Sequence, residues 1–372
     1  MADTDHQRTA AAAGAEPPVA VAWNEFCQTL QNAGQRILAH APQDALDQVE
    51  GYRYLARLTR HALRQFIETP QPLRPVFDFE APKIGGDNPD FVYCTARISG
   101  THDYRIEGHR RDCHNLGIGS YSGGLGTGAG LQCSGYIDLD QLECAADGSF
   151  TIVASRQRQA GNWLPLAEAS NALIVRQTLL DRGRERAAEL RIAPLAAEAS
   201  PPAPLDPLLW AQSLRTVGLF VDGVSRQFLR WTDTFKQHPN QLLPTPPELL
   251  SLAQGDPNTR YYNGYFELTD DEALLVELTP PPCRYWNIQV ANHWLESLDF
   301  LDYRTHFNHA TAAADADGRV RIVIARRDPG AANWIDTAGH ARGCLALRWV
   351  HAEHDSQPMA RVVPLCVAEA TR

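Results

Sequence analysis

The stretch ANHWLESLDFLDYRTHFNHA, residues 291–310, is the richest in groups able to move protons: His293, Glu296, Asp299, Asp302, Tyr303, His306 and His309, interleaved with Trp294, Phe300 and Phe307. Carboxylates and imidazoles beside aromatic rings suit general acid–base catalysis on an apolar or sugar ring, because burial against such rings raises a carboxyl group toward working pH. Asp336 and His340 flank Gly339 just after Asn333 and Trp334, and extend the same pattern. The catalytic set read from these spacings is Asp299, Asp302, His306, Asp336 and His340, with Tyr303 as a proton donor. Around it, His293, Trp294, Glu296, Trp286, Asn333, Trp334 and Arg348 are expected to bind substrate. A solvated loop with incidental histidines is the opposing reading and stays equally open. His306, His309 and a nearby aspartate lack the HExxH or paired spacing of a metal site, so no metal is assigned.

Such a set works only if the loop and the turn after Trp334 meet. Between them lies DGRVRIVIAR, and a strand of ten residues spans roughly 33 Å when straight. The loop must therefore fold back over the end of its sheet, with Trp294 and Phe300 as anchors. The segment Gly318–Trp349 reads as strand, Pro/Gly turn and returning strand, a β-hairpin-like unit.

That unit has an upstream copy. Arg64-Gln65-Phe66 matches Arg226-Gln227-Phe228, Asn115–Ile118 matches Asn287–Val290, DGSFTIVASR matches DGRVRIVIAR, and Asn162-Trp163 matches Asn333-Trp334, all in the same order. The fold class expected is mainly β: two tandem antiparallel jelly-roll-like sandwiches, each preceded by an amphipathic helix. The boundaries are a disordered tail at 1–20, helices at 21–76, a first sandwich at 77–195, linker and helices at 196–256, and a second sandwich at 257–372. Leu55, Leu58, Ala62 and Phe66 stripe one helix; Leu214, Val217, Val221, Val224 and Phe228 stripe another, which starts at Asp206-Pro207.

The repeat also weighs individual residues. Because both copies keep Asn-Trp, the pair is read first as a plug with an Asn bonded to its own turn, and only second as a ligand clamp. Arg176 and Arg348 sit in otherwise apolar strands, and a structural ion pair of Arg348 with Asp336 or Glu353 is favoured over an anion site. The glycine run 117–135 lacks the GK[ST] lysine and the GxGxxG offsets of a phosphate loop, and is expected to form a long mobile loop rimming a sandwich mouth.

Composition limits the partners. A net charge of −10 over 372 residues argues against nucleic acid, which needs clustered surplus Lys and Arg. Only Lys83 and Lys236 are lysines, which disfavours Schiff-base chemistry. The eight cysteines form no CxxC pair and read as reduced thiols, and no run suits a membrane span or signal peptide. A cytoplasmic protein is expected, oligomeric because sandwich edges need covering.

The run RYWNIQVANHW, then DGRVRIVIARRDPGAANWID and GCLALRW, resembles the C-terminal signature of the bacterial domain-of-unknown-function 1214 family, often fused to the related 1254 domain. The resemblance is best over 257–368 and weaker over 77–192, and His114 stands where Trp286 stands in the other copy, so the halves should not share a site. It implies jelly-roll sandwiches like those of double-jelly-roll capsid proteins and an amidase that removes N-glycans, and brings no activity with it. From the residues, the expectation is a catabolic hydrolase or lyase, with no organic cofactor, acting on a neutral ring-bearing small molecule of steroid, terpenoid or glycoside type. The alternative is a non-catalytic oligomeric binding or assembly protein.

Overall fold

The computed structural model describes residues 16–68, 72–196 and 204–368. Most of the tail expected to be disordered lies outside these residues, and its end, from Pro18, is already helical.

Two helices open the described chain, α1 (Pro18–His40) and α2 (Ala45–Leu63), the second running into a π-helical turn at Arg64–Glu68. Asp44 starts α2 by accepting the backbone N–H groups of Leu46 and Asp47, which otherwise lack partners at a helix start. Leu55, Leu58 and Ala62 are buried as their spacing requires. Eight strands follow: β1 (Phe91–Arg97), β2 (Tyr104–His109), β3 (Asn115–Gly123), β4 (Leu131–Asp138), β5 (Ser149–Ser155), β6 (Trp163–Pro165), β7 (Ser170–Thr178) and β8 (Glu189–Pro194). Then come α3 (Pro207–Phe235), β9 (Leu242–Pro244) and α4 (Pro247–Leu252). The second set is β10 (Thr259–Glu267), β11 (Glu272–Leu278), β12 (Tyr285–Ala291), β13 (His306–Asn308), β14 (Val320–Ala325), β15 (Trp334–Asp336), β16 (Arg342–Val350) and β17 (Met359–Pro364), before a last turn of helix, α5 (Leu365–Ala368).

The strand order repeats. Sheets β1-β7-β3-β4 and β6-β5-β2-β8 in the first half correspond to β10-β16-β12-β13 and β15-β14-β11-β17 in the second, with β9 added beside β10. Pairing is antiparallel except for β5 with β6 and β14 with β15, which are parallel in both copies. Each half is thus a jelly-roll-like sandwich. Alternation fills its core: Cys94 and Ala96 of β1 and Leu173 and Val175 of β7 face Ile106, Ile152 and Ala154 across the first; Leu345, Leu347 and Trp349 face Leu274, Ile322 and Ile324 in the second.

Three expectations need correction. The two strands of Gly318–Trp349 are β14 and β16, which lie in opposite sheets, so the segment is a crossover and no hairpin; β15 intervenes and pairs parallel with β14, and the long connection carries the chain across to the other sheet. The match of Asn115 with Asn287 falls on equivalent strands but two residues out of register, since Gly117 pairs with Arg176 where Asn287 pairs with Arg348. The glycine run is no long loop. It forms β3 and β4 with a short turn between, and Gly126, at φ +78°, packs so tightly on the backbone of Gly223 and Val224 in α3 that a Cβ would overlap it.

The helices expected to precede each sandwich pack together as one layer. Arg215 of α3 pairs with Glu25 of α1 at 2.6 Å, and Arg36 of α1 with Asp222 of α3. Their shared core also takes Tyr265, Trp294 and Leu295 from the second half, so helices and sandwiches are continuous.

Candidate functional site

The period of two that buries Cys94, Ala96, Leu173 and Val175 turns the alternate residues the other way. Tyr93, Thr95 and Arg97 of β1 and Ala172, Ile174 and Arg176 of β7 face a cavity of about 330 Å³. Tyr261 and Asn263 of β10 and Arg348 of β16 reach it from the second sandwich, and Phe220, Phe228 and Trp231 of α3 with Phe66 supply its apolar wall. The cavity therefore lies between the halves, where ligand pockets commonly form.

Arg176 and Arg348 occupy matching positions: each is paired across its ladder with a tyrosine, Arg176 with Tyr93 and Arg348 with Tyr261. Arg176 donates to Tyr121 Oη at 2.7 Å and lies over that ring, with Tyr136, Tyr261 and Tyr93 about it. Arg348 is 7% exposed and donates to Gln289 Oε1 at 2.8 Å, to Asn287 Oδ1 at 3.4 Å and to the Gly86 carbonyl. All these acceptors are neutral. The ion pair expected for Arg348 does not form: Asp336 instead caps its own turn by accepting the Ala338 N–H at 2.7 Å, and Glu353 makes a backbone bond to Pro282. Among the described residues no carboxylate pairs with either guanidinium. Two permanent charges thus face the cavity with no carboxylate bonded to either. Arg97, which stacks on Phe66 and donates to the Gln65 carbonyl, adds a third. Asp87, the acid on this wall, accepts the Ser297 N–H and hydroxyl at 2.8 and 2.7 Å. His61 also lines the cavity, and burial pushes its imidazole down to about 4, so it is neutral at pH 7.

The residues selected from sequence fall into several settings. The loop does fold back, for the Asp336 N–H donates to the Arg304 carbonyl at 2.8 Å. It brings together His340, Glu296 and Trp294 around Glu50 of α2. His340 Nε2 lies 2.8 Å from Glu50 Oε2, Asn292 Nδ2 donates to both Glu50 and Glu296, Arg57 holds Glu296 at 2.7 Å, and Trp294 Nε1 donates to the Asp47 carbonyl. Burial opposes protonation of His340, but the bond to Glu50 raises its pKa above the usual value. Burial raises that of Glu296.

The other selected residues stand apart from this group. Asp299, Asp302 and Tyr303 are exposed and bond to neither His306 nor His340; the fold-back that buries 292–298 leaves the loop's tip in solvent. His306 binds Asp90 at 3.0 Å, within a polar layer where Tyr285 also donates to Asp90 at 2.6 Å. His293 Nδ1 meets Tyr265 Oη at 2.8 Å, and burial pushes its pKa down to about 3. Trp286 packs on Trp349 inside the second core. Asn333 and Trp334 serve their own loop: Asn333 spans the Ala313 N–H and carbonyl and the Arg321 carbonyl, while Trp334 Nε1 donates to the Ala325 carbonyl. Asn162 and Trp163 do the same in the first half, with Glu143, Thr151 and Ser155. Of the residues selected, Arg348 is the one that lines the cavity. Arg176 and His61 were missed as site residues, although the signal for Arg176 was its matched place in an apolar strand.

The model of a family described as a protein of unknown function, DUF1214, matches residues 129–178 and 270–354. A crystal structure of an uncharacterized protein from Burkholderia cenocepacia is 41% identical, covering 93% of this chain and 97% of that one, with a TM-score of 0.89. The chain belongs to the DUF1214 family. The VPA0106 protein from Vibrio parahaemolyticus, 10% identical over 84% of this DUF1214 chain and 97% of its own, has a TM-score of 0.49. No curated protein matches.

Proposed function

We propose that this protein binds a small ring-bearing molecule carrying a carboxylate or similar anionic group in the cavity between its sandwiches. The observation that carries this reading is the pair Arg176 and Arg348, directed at one apolar cavity and bonded only to neutral acceptors. A buried charge without a counter-charge is costly, and a ligand anion would relieve it for both. The aromatic wall of Phe66, Phe220, Phe228 and Trp231 suits the ring. The ring-bearing substrate expected from the sequence is retained, with a charge added.

Hydrolysis or elimination on this ligand is the chemistry the neighbouring groups support. The neutral His61 imidazole is a base in the cavity wall, and the Tyr93 and Tyr261 hydroxyls are proton donors beside the arginines. All eight cysteines are unpaired, which supports a cytoplasmic setting, and no helix among the described residues is long and apolar enough to cross a membrane. Leu208, Leu209 and Leu219 along α3 are each more than half exposed and favour a homo-oligomer.

A thermal-shift panel tests the reading: benzoate, phenylacetate, cinnamate and cyclohexanecarboxylate against their methyl esters. The acids are expected to raise Tm and the esters to do so less. Esters that stabilise as well as acids would count against the anionic group. Mass spectrometry of the incubated ligands then separates enzyme from binder: turnover that disappears in His61→Gln while binding persists supports catalysis, and unchanged ligand supports a binding protein.

A further inference from the structure

A second constellation is built at the start of α2, and none of its three residues lines the cavity. Asp47 and Glu50 are one turn apart on α2 and point to the same side, and the turn between β15 and β16 sets His340 against them. All three are buried, and one donor atom from each lies within 4.8 Å of the others. Fourteen residues of helix, about 21 Å at 1.5 Å per residue, separate Asp47 from His61 at the cavity.

The hydrogen bonds define what this cluster lacks. His340 Nδ1 is 2.9 Å from the Thr337 carbonyl, which can only accept, so the proton sits on Nδ1. Without a metal, a proton on Nε2 bridges to Glu50 Oε2 at 2.8 Å; once that proton is lost, the Nε2 lone pair is turned toward the carboxylates, the arrangement by which a backbone carbonyl orients a metal-binding imidazole. Glu50 has partners, since Asn292 donates to Oε2 at 3.0 Å and Arg53 to Oε1 at 3.2 Å. Asp47 has none for its side chain: it is 3% exposed, and its Oδ1 is buried without a hydrogen bond. A proton on Nε2 would match Glu50 and still leave Asp47 Oδ1 without a hydrogen bond. A divalent cation matches both carboxylates and uses the lone pair.

We propose that Asp47, Glu50 and His340 form a binding site for a divalent transition-metal ion of the zinc class. Two carboxylate oxygens and one imidazole nitrogen are hard and borderline donors that suit zinc or manganese, and their summed charge of −2 with a neutral ring equals that of the ion in magnitude. The site's role is structural. It fastens the start of α2, and so the helical layer, to the β15–β16 turn of the second sandwich, while Asn292 and Arg53 steady Glu50 from outside.

Metal analysis and zinc titration of the purified full chain test this. After chelation, calorimetry with zinc chloride is expected to give one high-affinity equivalent per chain and a rise in Tm. Asp47→Asn, of the same shape, and His340→Gln should each weaken zinc binding at least about tenfold and abolish the Tm rise. Folding of the variants does not confound the result, because Asp47→Asn removes a carboxylate whose charge burial disfavours and whose Oδ1 has no hydrogen bond, and should leave the chelated protein at least as stable as wild type. Three results would overturn the proposal: no zinc or manganese equivalent bound by wild type, a zinc response preserved in both variants, or a chelated Asp47→Asn protein less stable than chelated wild type.

Discussion

Arg176 and Arg348, one from each copy of the repeated sandwich, turn their guanidinium groups into the same cavity, and each lies across its ladder from a tyrosine. Here the facing sheets of the two copies make a single cavity, so a matched residue in each becomes a pair within one pocket.

If these charges hold a ligand anion, removing either should weaken binding without greatly harming the fold. Charge-assisted hydrogen bonds contribute about 1.5–3 kcal/mol, so Arg176→Gln and Arg348→Gln should each weaken carboxylate binding by roughly 10- to 150-fold. Binding of the uncharged methyl ester should change little. Calorimetry on both ligands checks the difference, and equal losses for acid and ester would show that the arginines only shape the cavity.

The paired Asn-Trp turns should behave in the opposite manner. Asn333 bridges three backbone groups, so Asn333→Ala should lower unfolding stability by about 1–3 kcal/mol and leave ligand affinity unchanged. Asn162→Ala should do likewise in the first half. Urea unfolding beside calorimetry separates the two effects, and a lost ligand with unchanged stability would reverse the assignment.

Much of the architecture was legible because strand periodicity and the repeat are local signals: β5 and β14, which begin one and two residues after an Asp-Gly pair, lie in equivalent sheets. The cavity was not legible. It is assembled from β1, β7, β10, β16, α2 and α3, and no spacing brings His61 of a helix near Arg348 of a strand nearly three hundred residues later. Richness in titratable residues also misled. Residues 291–310 split between burial and solvent, so His293 and Glu296 ended in the interior while Asp299, Asp302 and Tyr303 stayed outside. The ion pair assigned to Arg348 rested on the rule that a buried charge finds a carboxylate in the chain. That rule also admits a ligand.

The hairpin tip against α3 gives a packing prediction. Gly126→Ala would need a left-handed backbone for a residue with a Cβ and would push that Cβ into Gly223, so stability should fall by about 1–3 kcal/mol. Leu125, next to it, lines the cavity, and ligand binding should weaken as well. Unchanged melting and binding would mean that the tip is free to move away.

His293 sets a pH dependence. Burial takes its pKa from 6.5 to about 3 in the folded protein, so the unfolded chain takes up a proton over a range where the folded one does not. The contribution is fully present above pH 6.5 and is lost as the pH falls toward 3. His61, lowered to about 4, acts with the same sign. His293→Gln keeps an acceptor for Tyr265 and does not titrate, so its urea midpoint should fall less steeply than that of wild type between pH 6.5 and pH 4. Identical slopes would contradict the burial argument.

The most direct test of the central claim is a crystal structure of the protein with the tightest-binding acid from the panel. The account predicts the ring against Phe220, Phe228 and Trp231, with the carboxylate within about 3 Å of the guanidinium of Arg176, of Arg348 or of both. A ligand bound elsewhere, or one in the cavity with its carboxylate turned away from both arginines, would contradict it.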